Sequence, residues 1–356
     1  MQFSYRFPAV KGLQAGREYY VSMIPLKVLH KIFIASDDDI VSPEFRAQRR
    51  LNESRIPTIK NYILKNRNTY VFSALSASLD GKFQFVPYEE KGDIGILEID
   101  MDTNFLINDG QHRKAAIEDA LKEQPDLGDE TISVVFFEDK GLARSQQMFT
   151  DLNKHAVKTS NSISTLYDSR DPIAVMTKKV ISTIPFFNQY TDKEKDNLGK
   201  NSSKLFTLNN IYKANLRIIG KVEEATDGDL RFLCSYWETV VENIVEWQEL
   251  IRKEIYKNDL KQHYILCLNV TISAFGKLGA YFYERKTDDF TKILNKLRYI
   301  NWSRENMKDW GGRVIGKNGK ILSSETSVTL ICNKLKMFLG IALTDNENKK
   351  ELEVNK

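Results

Sequence analysis

The chain has 356 residues, about twice a typical domain length, so two cores are expected rather than one. Hydrophobic residues make up 42% and charged residues 28%, and no apolar run approaches the roughly 20 residues of a membrane span, which sets aside a disordered chain and a membrane protein. The net charge of +4, from 52 basic and 48 acidic residues, is too small to imply nucleic acid by itself. The cysteines (Cys234, Cys267, Cys332) are odd in number and far apart, so they read as buried thiols in a reducing compartment. The four histidines show no metal-binding spacing. The N-terminus lacks the basic-then-apolar profile of a secretory signal, and a cytoplasmic location is expected.

Charge is unevenly spread. Residues 41–67 carry seven basic and two acidic side chains, residues 101–150 five and ten, and residues 285–320 ten and four. Basic tracts of this kind are either phosphate-binding surfaces or solvated helix faces.

In chain order, Glu18 to Ile24 reads as a strand stopped by Pro25, and Leu26 to Phe33 as a short helix. Residues 37–43 form a loop. The next helical stretch, with Ile56, Ile59, Ile63 and Leu64 on one face, is expected to break near Pro57. Tyr70 to Ala77 is an apolar strand, buried on both faces. Strands follow at Lys82 to Tyr88, after an Asp80-Gly81 turn, then at Ile94 to Ile99 and Asn104 to Ile107. A helix from Gln111 to Glu123, a strand from Thr131 to Phe137 and a helix from Ala143 to Asn153 complete an α/β (α+β) N-terminal domain, residues 1–170. Residues 171–344 are mainly helical, notably 232–257 and 261–283, with an exposed lysine-rich loop at 192–203. Residues 345–356 read as a charged, frayed tail. The four tryptophans (Trp237, Trp247, Trp302, Trp310) are expected in the core.

The most informative segment is the end of the fifth of these strands. Asn108-Asp109-Gly110 supplies a tight turn into the helix that begins at Gln111, with Asp109 placed to cap it for roughly 1 kcal/mol. The free amides of the first turn then stand beside His112, Arg113 and Lys114, the physics of a phosphate site or, equally, of a plain capped helix.

Asp109-Gly110-Gln111-His112-Arg113 spells the DGQHR signature in a strand–turn–helix context. The chain thereby resembles the DGQHR-domain proteins of the ParB/sulfiredoxin-like superfamily, and within them is most similar to the DndB family of bacterial DNA phosphorothioation systems. Arg49-Arg50-Leu51-Asn52-Glu53-Ser54-Arg55-Ile56-Pro57 and Gln147-Met148-Phe149-Thr150-Asp151-Leu152-Asn153 are similar to the flanking motifs of that group. Trp310-Gly311-Gly312-Arg313 extends the likeness more loosely.

The resemblance implies nucleotide- or phosphate-binding at Asp109, Gly110, Gln111, His112 and Arg113, with a nucleoside triphosphate and Mg²⁺ as the ligand to expect if that site is used. Asp109 would hold Mg²⁺ through water or serve only as a cap. Gln111 stands where sulfiredoxins place a nucleophilic cysteine, which rules out their redox chemistry by residue type. Arg49, Arg50, Arg55, Asn153, Lys158, Arg313 and Lys317 are candidates for the DNA backbone, the last in Val314-Ile315-Gly316-Lys317-Asn318-Gly319, which reads as a KH-like clamp or as a hairpin turn. The expected function is a DNA-binding regulator of sulfur modification, with double-stranded DNA as partner and a homodimer if the operator is palindromic. The alternative is an enzyme hydrolysing ATP or CTP at the DGQHR turn. A third reading is a scaffold for the sulfur-modification enzymes, docked through the acidic segment.

Overall fold

The computed structural model describes residues 3–33, 52–138, 147–148, 151–152, 159–287 and 289–354. The chain divides into two compact units, Met1–Val157 and Lys158–Lys356. The fold is mixed α/β: a seven-stranded sheet with helices first, then a helical region.

The first unit opens on a hairpin. β1 (Ser4–Gln14) and β2 (Arg17–Pro25) are joined by Ala15-Gly16, both with positive φ, the geometry whose twist matches a two-residue hairpin. Sequence reading finds β2 and misses β1, because Pro8 and Gly12 interrupt an alternation that still buries Phe7 and Ala9. Pro25 ends β2 and opens α1 (Leu26–Ile32), as expected. Near Pro57 a 3₁₀ turn at Glu53–Arg55 gives way to α2 (Ile56–Lys65), with Pro57 in its first turn, where its missing N–H costs nothing; the residues before Asn52 lie outside those described.

β3 (Leu75–Asp80), β4 (Phe83–Pro87), β5 (Ile94–Asp100), β6 (Asn104–Asp109), α3 (Gln111–Glu123) and β7 (Thr131–Glu138) follow, close to the sequence expectations. β3 begins later than expected, at Leu75, but is buried on both faces. The sheet order is β4-β5-β1-β2-β7-β3-β6, with β3 parallel to β7 and antiparallel to β6. The turn at Asp80-Gly81 therefore makes no hairpin: β4 pairs with β5, away from β3. α1, α2 and α3 share a core with the sheet, where Leu29, Ile63 and Ile117 meet Leu75, Ile107 and Phe136. Of the expected helix at 143–153, only 147–148 and 151–152 lie within the described residues, and these are helical.

The second unit buries all four tryptophans, as expected. The helix Asn269–Arg285 packs on Leu208–Ile219 and Glu325–Leu339. Trp237 donates its indole N–H to Asn215 at 2.7 Å, and Trp302 stacks on Trp310 at 5.5 Å between centroids. The helical texture of 232–257 resolves into Asp227–Asn243 and Val245–Ile251, and the 192–203 loop is largely exposed.

The tail departs from expectation. Residues Asp345–Val354 form a helix, not a frayed end. Thr344 and Glu347 cap it reciprocally, the Thr344 N–H donating to the Glu347 carboxylate at 2.9 Å and the Glu347 N–H to the Thr344 hydroxyl. The helix is then anchored by two buried ion pairs, Lys336–Glu347 at 2.6 Å and Arg313–Glu351. Among the described residues, no helix is long and apolar enough to cross a membrane.

Candidate functional site

Two motifs that lie 60 residues apart meet at the β6–α3 turn, where the backbone N–H of Asn52 donates to Nε2 of His112 at 2.9 Å. Packing of α2 against α3 brings them together. Gly110 makes the turn possible: it holds φ +104°, and a Cβ there would lie 2.3 Å from Cδ2 of the fully buried Leu75. Gly110 is also the N-cap residue of α3, and it brings no side chain to cap the helix. Asp109, expected as the cap, instead accepts from Nη2 of Arg113.

Arg113 is likewise committed to the protein. Its Nη1 donates to the carbonyls of Ser73 at 2.6 Å and Ala74 at 3.1 Å, and to the Ser73 hydroxyl. The guanidinium thus ties the end of β6 to the segment leading into β3. His112 accepts at Nε2, so that nitrogen carries no proton to offer an anion. Gln111 donates to the carbonyl of Ile107 at 3.2 Å, and Lys114 pairs with Glu118 at 2.9 Å. What the turn still presents is a set of uncapped backbone amides at a helix start.

Beneath it, Asn108 is fully buried, donating to Ser78 Oγ at 2.7 Å and to Met148 Sδ at 3.2 Å. Ser73, Asn52 and Asn108 are parts of this arrangement that sequence reading missed. Asn108 was visible only as a turn residue, and Asn52 left a local signal, an Asx turn in which its side chain accepts from the Ser54 N–H.

The opposed charge tracts of the first unit satisfy one another. Lys60 pairs with Glu123 at 2.5 Å, and Arg67 pairs with Asp126 at 2.8 Å and with Glu130, which also accepts from the Tyr70 hydroxyl. The Arg67 guanidinium holds the Asp126 carboxyl below its usual range. Of the seven basic residues of the 41–67 stretch, Lys60 and Arg67 are therefore engaged within the unit, and the acidic segment facing them is partly spent. Arg55 is exposed. Arg49, Arg50, Asn153 and Lys158 lie outside the described residues.

In the second unit, Arg313, a candidate for the DNA backbone, is buried against Glu351. Lys317 is exposed in a turn closed by Gly316 N–H to the Lys320 carbonyl and Gly319 N–H to the Gly316 carbonyl, both 2.8 Å, with Gly319 at φ +72°. This is the hairpin-turn alternative. The KH clamp is not seen: a four-residue helix at Met307–Trp310 and the long helix Glu325–Leu339 flank the turn, and no sheet does. Within the same 285–320 tract, Arg298 donates to Asn243, Lys296 to the Leu339 carbonyl, and Lys292 pairs with Asp289. Among the described residues, no group of acidic, histidine or cysteine side chains is arranged to hold a metal.

A family model described as DndB, DNA-sulfur modification-associated, matches residues 7–342. No curated protein and no solved structure matches the chain.

Proposed function

The chain belongs to the DndB family of DNA-sulfur modification-associated proteins, and from that premise we propose that it is a DNA-binding regulator of the modification rather than a sulfur-transfer enzyme. Its thiols support this most directly. Sulfur transfer needs a thiolate, and burial pushes the Cys267 and Cys332 thiols up to about 12 and raises that of Cys234. Lys261 and Arg304 stand near Cys267 and favour its ionisation, but burial outweighs them. Gln111 occupies the turn where a redox relative would carry its cysteine.

For DNA, the second unit offers the cations. Lys193, Lys195 and Lys200 in the exposed loop, with Lys317 and Lys320 in the 316–320 turn, have no carboxylate partner among the described residues. Such side chains neutralise phosphates and release counterions. Affinity for duplex DNA from upstream of the modification genes is expected to fall at least about tenfold between roughly 50 and 200 mM salt. Reversing Lys317 and Lys320 to Glu is expected to weaken binding and flatten the salt slope. Affinity indifferent to both salt and charge reversal would contradict the reading.

Nucleotide binding at the DGQHR turn is the second reading, favoured by the uncapped amides of α3. Among the described residues, the cations of the turn itself, Arg113 and Lys114, are engaged by Ser73 and Glu118, so ATP or CTP with Mg²⁺ would have to draw Arg113 from Ser73.

A further inference from the structure

A cleft of about 370 Å³ opens in the second unit between the lysine-rich loop, the start of the helix Asn269–Arg285 and the segment leaving the 316–320 turn. Lys200, Lys261 and Arg304 line it, beside apolar walls that include Leu205, Leu268 and Ile321. Lys261 and Arg304 are both partly buried. Lys261 donates to the Ser202 carbonyl at 2.7 Å, and Arg304 donates from Nε and Nη2 to the carbonyls of Tyr264 and Lys261. Neither has a carboxylate within ion-pair distance among the described residues.

The one acidic lining residue does not compensate them. Asp196 turns its carboxylate to the backbone amides of Asn161 and Ser162, at 2.8 and 2.9 Å, and to the side chains of both. Two cations are thus partly drawn out of water beside backbone carbonyls and the Cys267 thiol, with no carboxylate among the described residues. Desolvation lowers the pKa of each, as expected for positive charge awaiting a counter-ion. The helix that starts at Asn269 has no side-chain cap, so its first amides add further donors at the same rim.

We propose that this cleft binds the phosphate group of a nucleotide-sized ligand, with Lys261 and Arg304 as its cationic contacts, Lys200 at the mouth and the apolar walls against the remainder. The volume lies within the range of small-molecule sites. The phosphate comes either from a free nucleotide or from the DNA backbone, and the two sources separate in a titration. This site is independent of the DGQHR turn and does not require the regulatory reading to hold.

The test titrates the full chain with inorganic pyrophosphate, ATP, CTP and duplex DNA, each against the Lys261→Gln and Lys200→Ala variants, with melting temperature followed in parallel. Arg304→Ala is avoided as the sole variant because the guanidinium also holds backbone carbonyls. Loss of one charge-assisted contact is expected to weaken the bound phosphate about tenfold or more, at unchanged melting temperature. Weakened pyrophosphate or nucleotide binding identifies a free nucleotide as the source. Weakened DNA binding with no free-anion binding identifies the DNA backbone. If neither variant alters any of the four probes, or none of the four binds, the proposal is overturned. DNA binding that persists unchanged in both variants, with pyrophosphate and nucleotide binding also unchanged or absent, would sink the cleft but leave the regulatory reading standing.

Discussion

Deletion of residues 345–356 is expected to unfold the second unit at ordinary temperature. The tail supplies the only carboxylates that the described residues offer to Arg313 and Lys336, and both pairs are buried, with exposures of 8% and 11% across each. Removing one partner of a buried pair strands a charge and costs about 3–5 kcal/mol. Two such losses approach the whole stability of an ordinary domain, about 5–15 kcal/mol. Glu351→Ala alone is expected to cost about 3–5 kcal/mol in denaturant unfolding, whereas the double change Arg313→Met with Glu351→Met should recover most of that loss.

The Lys336–Glu347 pair adds a pH signature. Burial alone would raise the Glu347 carboxyl, but the Lys336 ammonium and the Thr344 amide outweigh it and hold the group below its ordinary value of 4.5. A carboxyl depressed in the folded state contributes stability above its unfolded pKa, and that contribution is lost as pH falls through the folded value. Stability should therefore hold from neutrality down to about pH 4.5 and decline below it. Glu347→Gln should remove that part of the decline. A truncated chain that melts with the intact one would show that the tail helix does not anchor the unit.

Gly110→Ala is expected to cost about 2–4 kcal/mol, the sum of left-handed backbone strain and overpacking against a core side chain. The added methyl would stand 2.3 Å from Leu75, which is fully buried in β3 between β6 and β7, so neither partner has room to give. Gly199→Ala is the matched control: a Cβ there meets nothing within 4 Å, and its φ is not in the left-handed region. Chemical denaturation of both variants checks the difference. A neutral Gly110→Ala would mean that the turn does not approach β3 as described.

These outcomes also show what was legible in the sequence. Helix α3 was readable to the residue because Gly110 and the (i, i+4) pairs of Ala116 with Ala120 bracket it plainly. Its turn chemistry was not. Asp109 carries the commonest capping side chain, yet Arg113 draws it away, and the partners that fix Arg113 lie 39 and 40 residues upstream, at Ala74 and Ser73. No spacing rule reaches that far. β1 was hidden by Gly12 and by Pro8, which has no N–H for the ladder and ordinarily marks an edge strand, yet β1 lies between β5 and β2.

The tail was misread although its signal was present. Thr344-Asp345-Asn346-Glu347 is a capping box, and Glu347 and Glu351 lie one turn apart on the face that meets Lys336 and Arg313. Charge density suggested fraying because sequence alone does not say which cations are buried and waiting. The same blindness hid the cleft at Lys261 and Arg304, whose importance lies in the carboxylates that are missing from their surroundings, and it made the 41–67 tract look freer than Lys60 and Arg67 are.

The most direct test of the regulatory reading is made in cells carrying the modification genes, by measuring their transcripts and the phosphorothioate content of the DNA together. Deleting this chain should shift transcript levels, and a variant with Cys234, Cys267 and Cys332 all replaced by Ser or Ala should restore them as well as the natural protein does. Unchanged transcripts with loss of phosphorothioate linkages, rescued only when the cysteines are present, would contradict it and make the chain a participant in sulfur transfer.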